Sequence, residues 1–136
     1  MTRREKAKEL HEAGFNCAQS VLAAFCDVTG LTEQDALILG GGFGGGFGCG
    51  AVCGAACGAV MALGYLFPFC DTGDMEKKTL VKKAAQQFCR QFRETFGNLD
   101  CRDLLRSTAP ERKCADYIDW SVMTVEQMLE ELRETK

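Results

Sequence analysis

The sequence predicts an all-α fold: a single-domain helical bundle spanning residues 1–136, with about five to seven helices around a central glycine- and cysteine-rich helix. Three observations predict it. Apolar residues recur at helical spacing along most of the chain, cap and stop residues separate the recurrences, and no segment sustains the two-residue alternation of a strand. A chain of 136 residues is long enough for one core without covalent staples, and neither a domain boundary nor a repeat is visible.

Thr2 with Glu5 forms a capping box for a first helix that runs to about Ala13 and stops at Gly14. Asn16 caps a second, whose Cys17, Val21, Leu22, Phe25 and Cys26 share a face and which Gly30 ends. Thr32 starts a short helix through Leu39. The central helix is expected from about Cys49 to Phe67, stopped by Pro68. Asp74 caps a long amphipathic helix to Phe96, with Leu80, Val81, Ala84, Phe88 and Phe92 on one side and lysines and arginines on the other. Gly97 ends it, and Asp100 opens a short helix to about Arg106. After Pro110, residues Cys114, Tyr117, Ile118, Ser121, Val122, Val125, Met128, Leu129 and Leu132 stay in helical phase, with Thr124 as a candidate cap for a separate last helix.

Composition excludes several function classes. The net charge is −3 and no basic block stands out, which argues against nucleic acid as a partner. Residues 36–70 carry no charge, but glycine and alanine fill much of that run, Pro68 cuts it, and Asp35 and Asp71 flank it in place of lysine or arginine; a membrane span is not expected. Nine cysteines, an odd number, follow an N-terminal MTRREKAKEL with no apolar h-region, so the expectation is a reducing, cytoplasmic setting and metal or redox chemistry rather than structural bridges. Ser20 and Ser121 have no histidine in a pattern that would suggest a hydrolase triad.

Eleven glycines lie between Gly40 and Gly64. Gly40, Gly42 and Gly45 match G-x-G-x-x-G, but no strand precedes them and no G-K-[ST] follows, so a nucleotide is not expected. On one continuous helix, Gly46, Gly50, Gly54 and Gly58 would line a bare stripe next to a stripe of Cys49, Cys53 and Cys57. Such a stripe admits a close helix neighbour, from this chain or from a second copy in a homodimer. The sharper alternative makes Gly50, Gly54 and Gly58 cofactor-binding positions that leave room beside Cys53 for a sulfur-ligated group.

Cys17 and Cys101 each follow a cap residue, and Cys114 falls soon after Pro110, beside Arg112 and Lys113. Three thiols therefore sit near helix N-termini, where free N–H groups and the helix dipole favour thiolate. Cys26 and Cys89 are expected in core-facing stripes, Cys70 lies in a turn without an assigned role, and His11 belongs to a solvated helix face.

The ordered set Cys17, Cys53-Gly54-Ala55-Ala56-Cys57-Gly58, Cys101 and Cys114 resembles the redox-active family named for its C-GCAxxG-C-C motif. The surrounding words "GFNCAQSVL", "GGGFGGGFG", "CGAACGAVMALG" and "FGNLDCRDLL" agree, from about Phe15 to Leu132. The resemblance implies a helical domain with four signature cysteines and a redox role. The domain also resembles part of the split-Soret cytochromes, which implies a [2Fe–2S] cluster with Cys17, Cys53, Cys101 and Cys114 as metal ligands. No C-x-x-C-H is present, so haem does not transfer. Cys57 occupies a free position of the motif, where it competes with Cys53 or assists it.

Three readings follow. In the first, the four cysteines hold a [2Fe–2S] cluster that transfers electrons to a redox partner protein. In the second, the same cysteines are catalytic redox thiols of an oxidoreductase working by thiol–disulfide exchange, with Cys101 and Cys114 separated by twelve residues. In the third, zinc or plain packing plays a structural part, Cys49-x₃-Cys53 and Cys53-x₃-Cys57 matching zinc-site counts but lying on a helix.

Overall fold

The computed structural model describes residues 1–106 and 113–134, all within one all-α domain. Its helices are α1 (Arg3–Ala13), α2 (Cys17–Ala23), α3 (Cys26–Thr29), α4 (Glu33–Gly40), α5 (Gly54–Leu66), α6 (Met75–Phe96), α7 (Cys101–Leu105) and α8 (Cys114–Glu134). The expected caps at the first two helices form as reciprocal boxes: Thr2 with Glu5, and Asn16 with Gln19. The Asp74 side chain accepts from the Lys77 amide at 3.1 Å and starts α6, which ends at Phe96 as its periodicity predicts.

Three expectations about boundaries need correction. The helix expected from Asn16 to Gly30 is split into α2 and α3. Ala24 and Phe25 form tighter i→i−3 bonds to Val21 and Leu22, and the turn drives Phe25 fully into the core. The kink expected at Thr124 is absent, since α8 runs through that residue and buries it. The largest correction concerns the central helix, which starts at Gly54 with Cys53 as its N-cap, not at Cys49.

What precedes α5 is a tight glycine-rich turn at residues 45–50, in which Gly45, Gly46, Phe47, Gly48 and Gly50 all have positive φ. Glycine carries no penalty there, and a Cβ on Gly46 would lie 2.4 Å from the Ala51 carbonyl oxygen, so the turn closes on bare backbone. A right-handed helix through so many glycines would sacrifice about 1 kcal/mol at each. The stripes Gly46-Gly50-Gly54-Gly58 and Cys49-Cys53-Cys57 therefore do not run along one helix; only Gly54, Gly58 and Cys57 lie in α5, with Cys53 as its cap. The expectation that Cys114 lies beside Arg112 after Pro110 falls outside the described residues, apart from Lys113 and Cys114 themselves.

α5 is still the central helix. It packs against α2, α3, α6 and α8 and buries Ala55, Ala56, Ala59, Ala62 and Leu63. Between α6 and α8, Phe88, Phe92 and Phe96 meet Tyr117 and Trp120 with ring centroids 4.8 to 6.0 Å apart. These offset and edge-on contacts add to the burial itself. α1 closes over α8 through ion pairs of Arg3 with Glu126 at 2.9 Å and Arg4 with Asp119 at 2.7 Å. Among the described residues, no helix is long and apolar enough to cross a membrane.

Candidate functional site: four thiols at four helix starts

Each signature cysteine begins a helix. Cys17, Cys101 and Cys114 are the first residues of α2, α7 and α8, and Cys53 caps α5. Local chemistry puts each there. Asn16 caps α2 and its side-chain amide also donates to the Gly40 and Gly41 carbonyls at 3.3 and 3.2 Å, tying Cys17 to the glycine loop. Cys53 and Cys101 are set by one short antiparallel bridge between Val52 and Asp100. In it the Cys53 amide donates to the Leu99 carbonyl at 2.8 Å, and the Cys101 amide to the Ala51 carbonyl at 2.7 Å. Alternation across the bridge puts Cys53 and Cys101 on the same face.

The four thiols are close enough for every one of them to act electrostatically on the other three. All are free, Cys53 is buried, and Cys17, Cys101 and Cys114 are half-buried. Burial pushes the Cys53 thiol up to about 11, opposed by the Ala56 and Ala55 amides of the first turn of α5 and reinforced by the charges of Cys101 and Cys114. Burial also raises Cys101.

Cys17 and Cys114 behave as a pair. The Cys17 thiol donates toward Cys114, which holds the Cys114 sulfur down at about 6; burial opposes this and the Cys114 amide assists it. The proton kept in that interaction, together with burial, raises Cys17 well above an ordinary thiol. The low thiol expected at three helix starts is thus realised at Cys114 alone, because the proton shared with Cys114, and then burial, raises Cys17 and burial raises Cys101. In metal-free protein, alkylation should therefore be fastest at Cys114 with a midpoint near pH 6, at pH 7 roughly two- to threefold faster than an ordinary exposed thiol once the lower nucleophilicity of a more acidic thiolate is counted. Cys17→Ala should move that midpoint upward, since the donor that stabilises the thiolate is gone; peptide-resolved labelling against pH measures both.

The glycines do not leave open space beside Cys53. A Cβ on Gly58 would lie 2.7 Å from the Ala18 carbonyl oxygen and 3.2 Å from the Leu22 amide nitrogen, so the backbone of α2 fills that side of α5. On Gly54 it would lie 3.0 Å from the Phe43 carbonyl oxygen and 3.3 Å from both the Ala18 amide nitrogen and the Cys17 Cβ. Gly50 faces the Arg102 Cβ at 3.0 Å with φ of +77°. The expected cofactor groove at Gly50, Gly54 and Gly58 is therefore corrected to close packing, and Gly54 and Gly58 are spent inside the chain instead of being offered to a second copy. Their bareness still serves the site, because it lets α2 bring Cys17 against the start of α5.

The remaining cysteines separate. Cys49 and Cys70 are exposed, and Cys26 packs at the edge of a small cluster with Leu10, Leu22 and Ala36. The Cys57 thiol points to the Val52 carbonyl at 3.8 Å and, with Cys89, lines a different groove. Sequence reasoning missed the Ala51–Cys53 and Leu99–Cys101 pairing, which is too short to leave a pattern, and the Arg102 guanidinium that donates to the Cys49 carbonyl at 3.1 Å. Among the described residues, no group of three or more His, Cys, Asp or Glu is arranged to hold a metal ion in the conformation seen.

Fold and site together define a cysteine-rich all-α protein with four free thiols at helix N-termini. The model of the family described as "Putative redox-active protein (C_GCAxxG_C_C)" matches residues 15–128. The chain belongs to that family and is redox-active in class. No curated protein and no solved structure matches it.

Proposed function

We propose that Cys17, Cys53, Cys101 and Cys114 ligate a [2Fe–2S] cluster and that the protein carries electrons to a redox partner protein. The observation that supports this most is the meeting of four free thiols, each at a helix start and each acting on the other three. The four free thiols are the kind of donor the group requires. Four thiolates are its usual complement, and as ligands they must be deprotonated. Without a cation, burial keeps Cys53 and Cys101 protonated, so the pocket favours a group that takes over their negative charge. A cluster held there supplies a one-electron couple.

The chain's own contribution is orientation and electrostatics. Each helix N-terminus carries about half a positive charge and stabilises an adjacent anion by about 0.3–1 kcal/mol, more where water is excluded. The bridge at Val52 and Asp100 holds Cys53 and Cys101 in register, while α2, seated on Gly54 and Gly58, holds Cys17. Half-buried Cys101 and Cys114 give the site a solvent-facing side through which a partner is reached. A reducing compartment such as the cytoplasm would keep the thiols free for assembly.

A second reading rests on the Cys17–Cys114 pair, in which a low thiol lies against a high one, as attacking and resolving cysteines do. Anaerobic purification with iron, sulfide and zinc analysis separates the readings. About two irons and two sulfides per chain with visible absorption are expected. Stoichiometric zinc without iron would replace the proposal with a structural site. A colourless, metal-free protein that resists reconstitution and whose thiol count changes with oxidant would replace it with dithiol chemistry.

A further inference from the structure

Cys57 and Cys89 are not among the four signature thiols and line one groove of about 470 Å³ between α5, the glycine-rich segment before it and Cys89 of α6. The rest of its wall is apolar, with Phe43, Phe47, Val60 and Leu99 among its side chains. The two thiols are free and partly buried, and Cys57 feels the charge of Cys53 first and of Cys89 next. The Arg93 guanidinium acts in turn on Cys89.

We propose that Cys57 and Cys89 form a separate two-thiolate site for a soft, two-coordinate monovalent cation of the Cu(I) class. Soft cations bind thiolates covalently, and two such ligands complete their coordination, whereas zinc requires four. An apolar wall supplies no oxygen for a hard, hydrated cation and imposes its full dehydration cost, which selects a weakly hydrated soft ion. Binding balances as two thiols plus Cu(I) giving a bis-thiolate copper anion and two protons, with no change of oxidation state. The anion's single negative charge is offset by Arg93, one turn along α6, whose guanidinium acts on Cys89. The Cys57 proton, directed to the Val52 carbonyl at 3.8 Å in the free protein, is one of the two released.

The test uses the full chain with its iron–sulfur content restored, titrated anaerobically with Cu(I) buffered by a colorimetric chelator. About one equivalent should bind, with two sulfur neighbours by X-ray absorption. One equivalent should also protect Cys57 and Cys89 together from alkylation, while Cys49 and Cys70 stay reactive. Cys57→Ser and Cys89→Ser should each weaken binding at least a hundredfold, and Cys26→Ser with Cys70→Ser should leave it unchanged. The proposal is overturned if Cu(I) binding survives both serine variants, if Cys53→Ser removes it instead, or if oxidation to a disulfide alone accounts for the joint protection. Because the protection experiment needs only the wild-type chain, a variant that fails to fold does not leave the question open.

Discussion

Gly58→Ala should lower stability by about 3 kcal/mol or more, enough to bring the thermal midpoint down by about 10 °C. The added methyl meets the Ala18 carbonyl oxygen at 2.7 Å, the Val21 Cβ at 3.1 Å and the Leu22 amide nitrogen at 3.2 Å. Two of the three are backbone of a helix whose Ala18, Val21 and Leu22 are fully buried, so no flexible chain end can move aside. Either α2 lifts from α5 or the site deforms, and Cys17 moves with α2. Loss of the low Cys114 midpoint in metal-free protein should accompany the destabilisation, since the Cys17 thiol is its main support. Gly64→Ala is the control on the same helix. A methyl added at Gly64 meets nothing within 4 Å, so this substitution should stabilise by about 0.5–1 kcal/mol through helix propensity and a less flexible unfolded chain. Urea unfolding of both variants measures the contrast, and equal effects would refute the close approach of α2 to Gly58.

Cys53→Ala should reduce bound iron at least tenfold, with loss of the visible bands, while Cys70→Ala leaves both unchanged. Cys53 is the most buried of the four thiols and the only one that caps a helix instead of starting it. Its backbone is held by the Leu99 carbonyl, so no neighbouring residue can slide into its place. Cys57, one turn along α5, directs its thiol to the Val52 carbonyl and lines the other groove. The variant also separates the two functional readings. Under thiol exchange by Cys17 and Cys114, Cys53→Ala leaves the reactive pair intact and the low-pH alkylation at Cys114 persists with activity; under cluster ligation the pair remains but electron transfer is gone.

Much of the fold is legible in local chemistry. Capping residues and stop glycines are short-range signals, so Thr2, Asn16, Thr32, Asp74 and Gly97 mark their boundaries correctly. The long amphipathic α6 is read from its periodicity alone. Where several glycines occur in series the local signal fails, because spacing every four residues describes a stripe only if the backbone is already helical. The actual chain turns left-handed at Gly45–Gly48, even placing Phe47 at φ of +63°. Propensity disfavours a helix at these glycines, but the alternative conformation is chosen by the Ala51 backbone closing on Gly46 and by Cys53 pairing with Leu99, contacts that no window of sequence contains.

The amino-acid sequence by itself determined an all-α domain, its main helices, its family, and the helix starts at Cys17, Cys101 and Cys114. The tertiary structure alone decided that Cys53 is one of them, that Gly54 and Gly58 are filled by α2 and not by a cofactor, and that only Cys114 is a low thiol. The division is physical: caps and periodicity act over a few residues, whereas thiol acidity and close approach depend on desolvation and on neighbours 36 to 97 positions away, as Cys53 and Cys114 lie from Cys17.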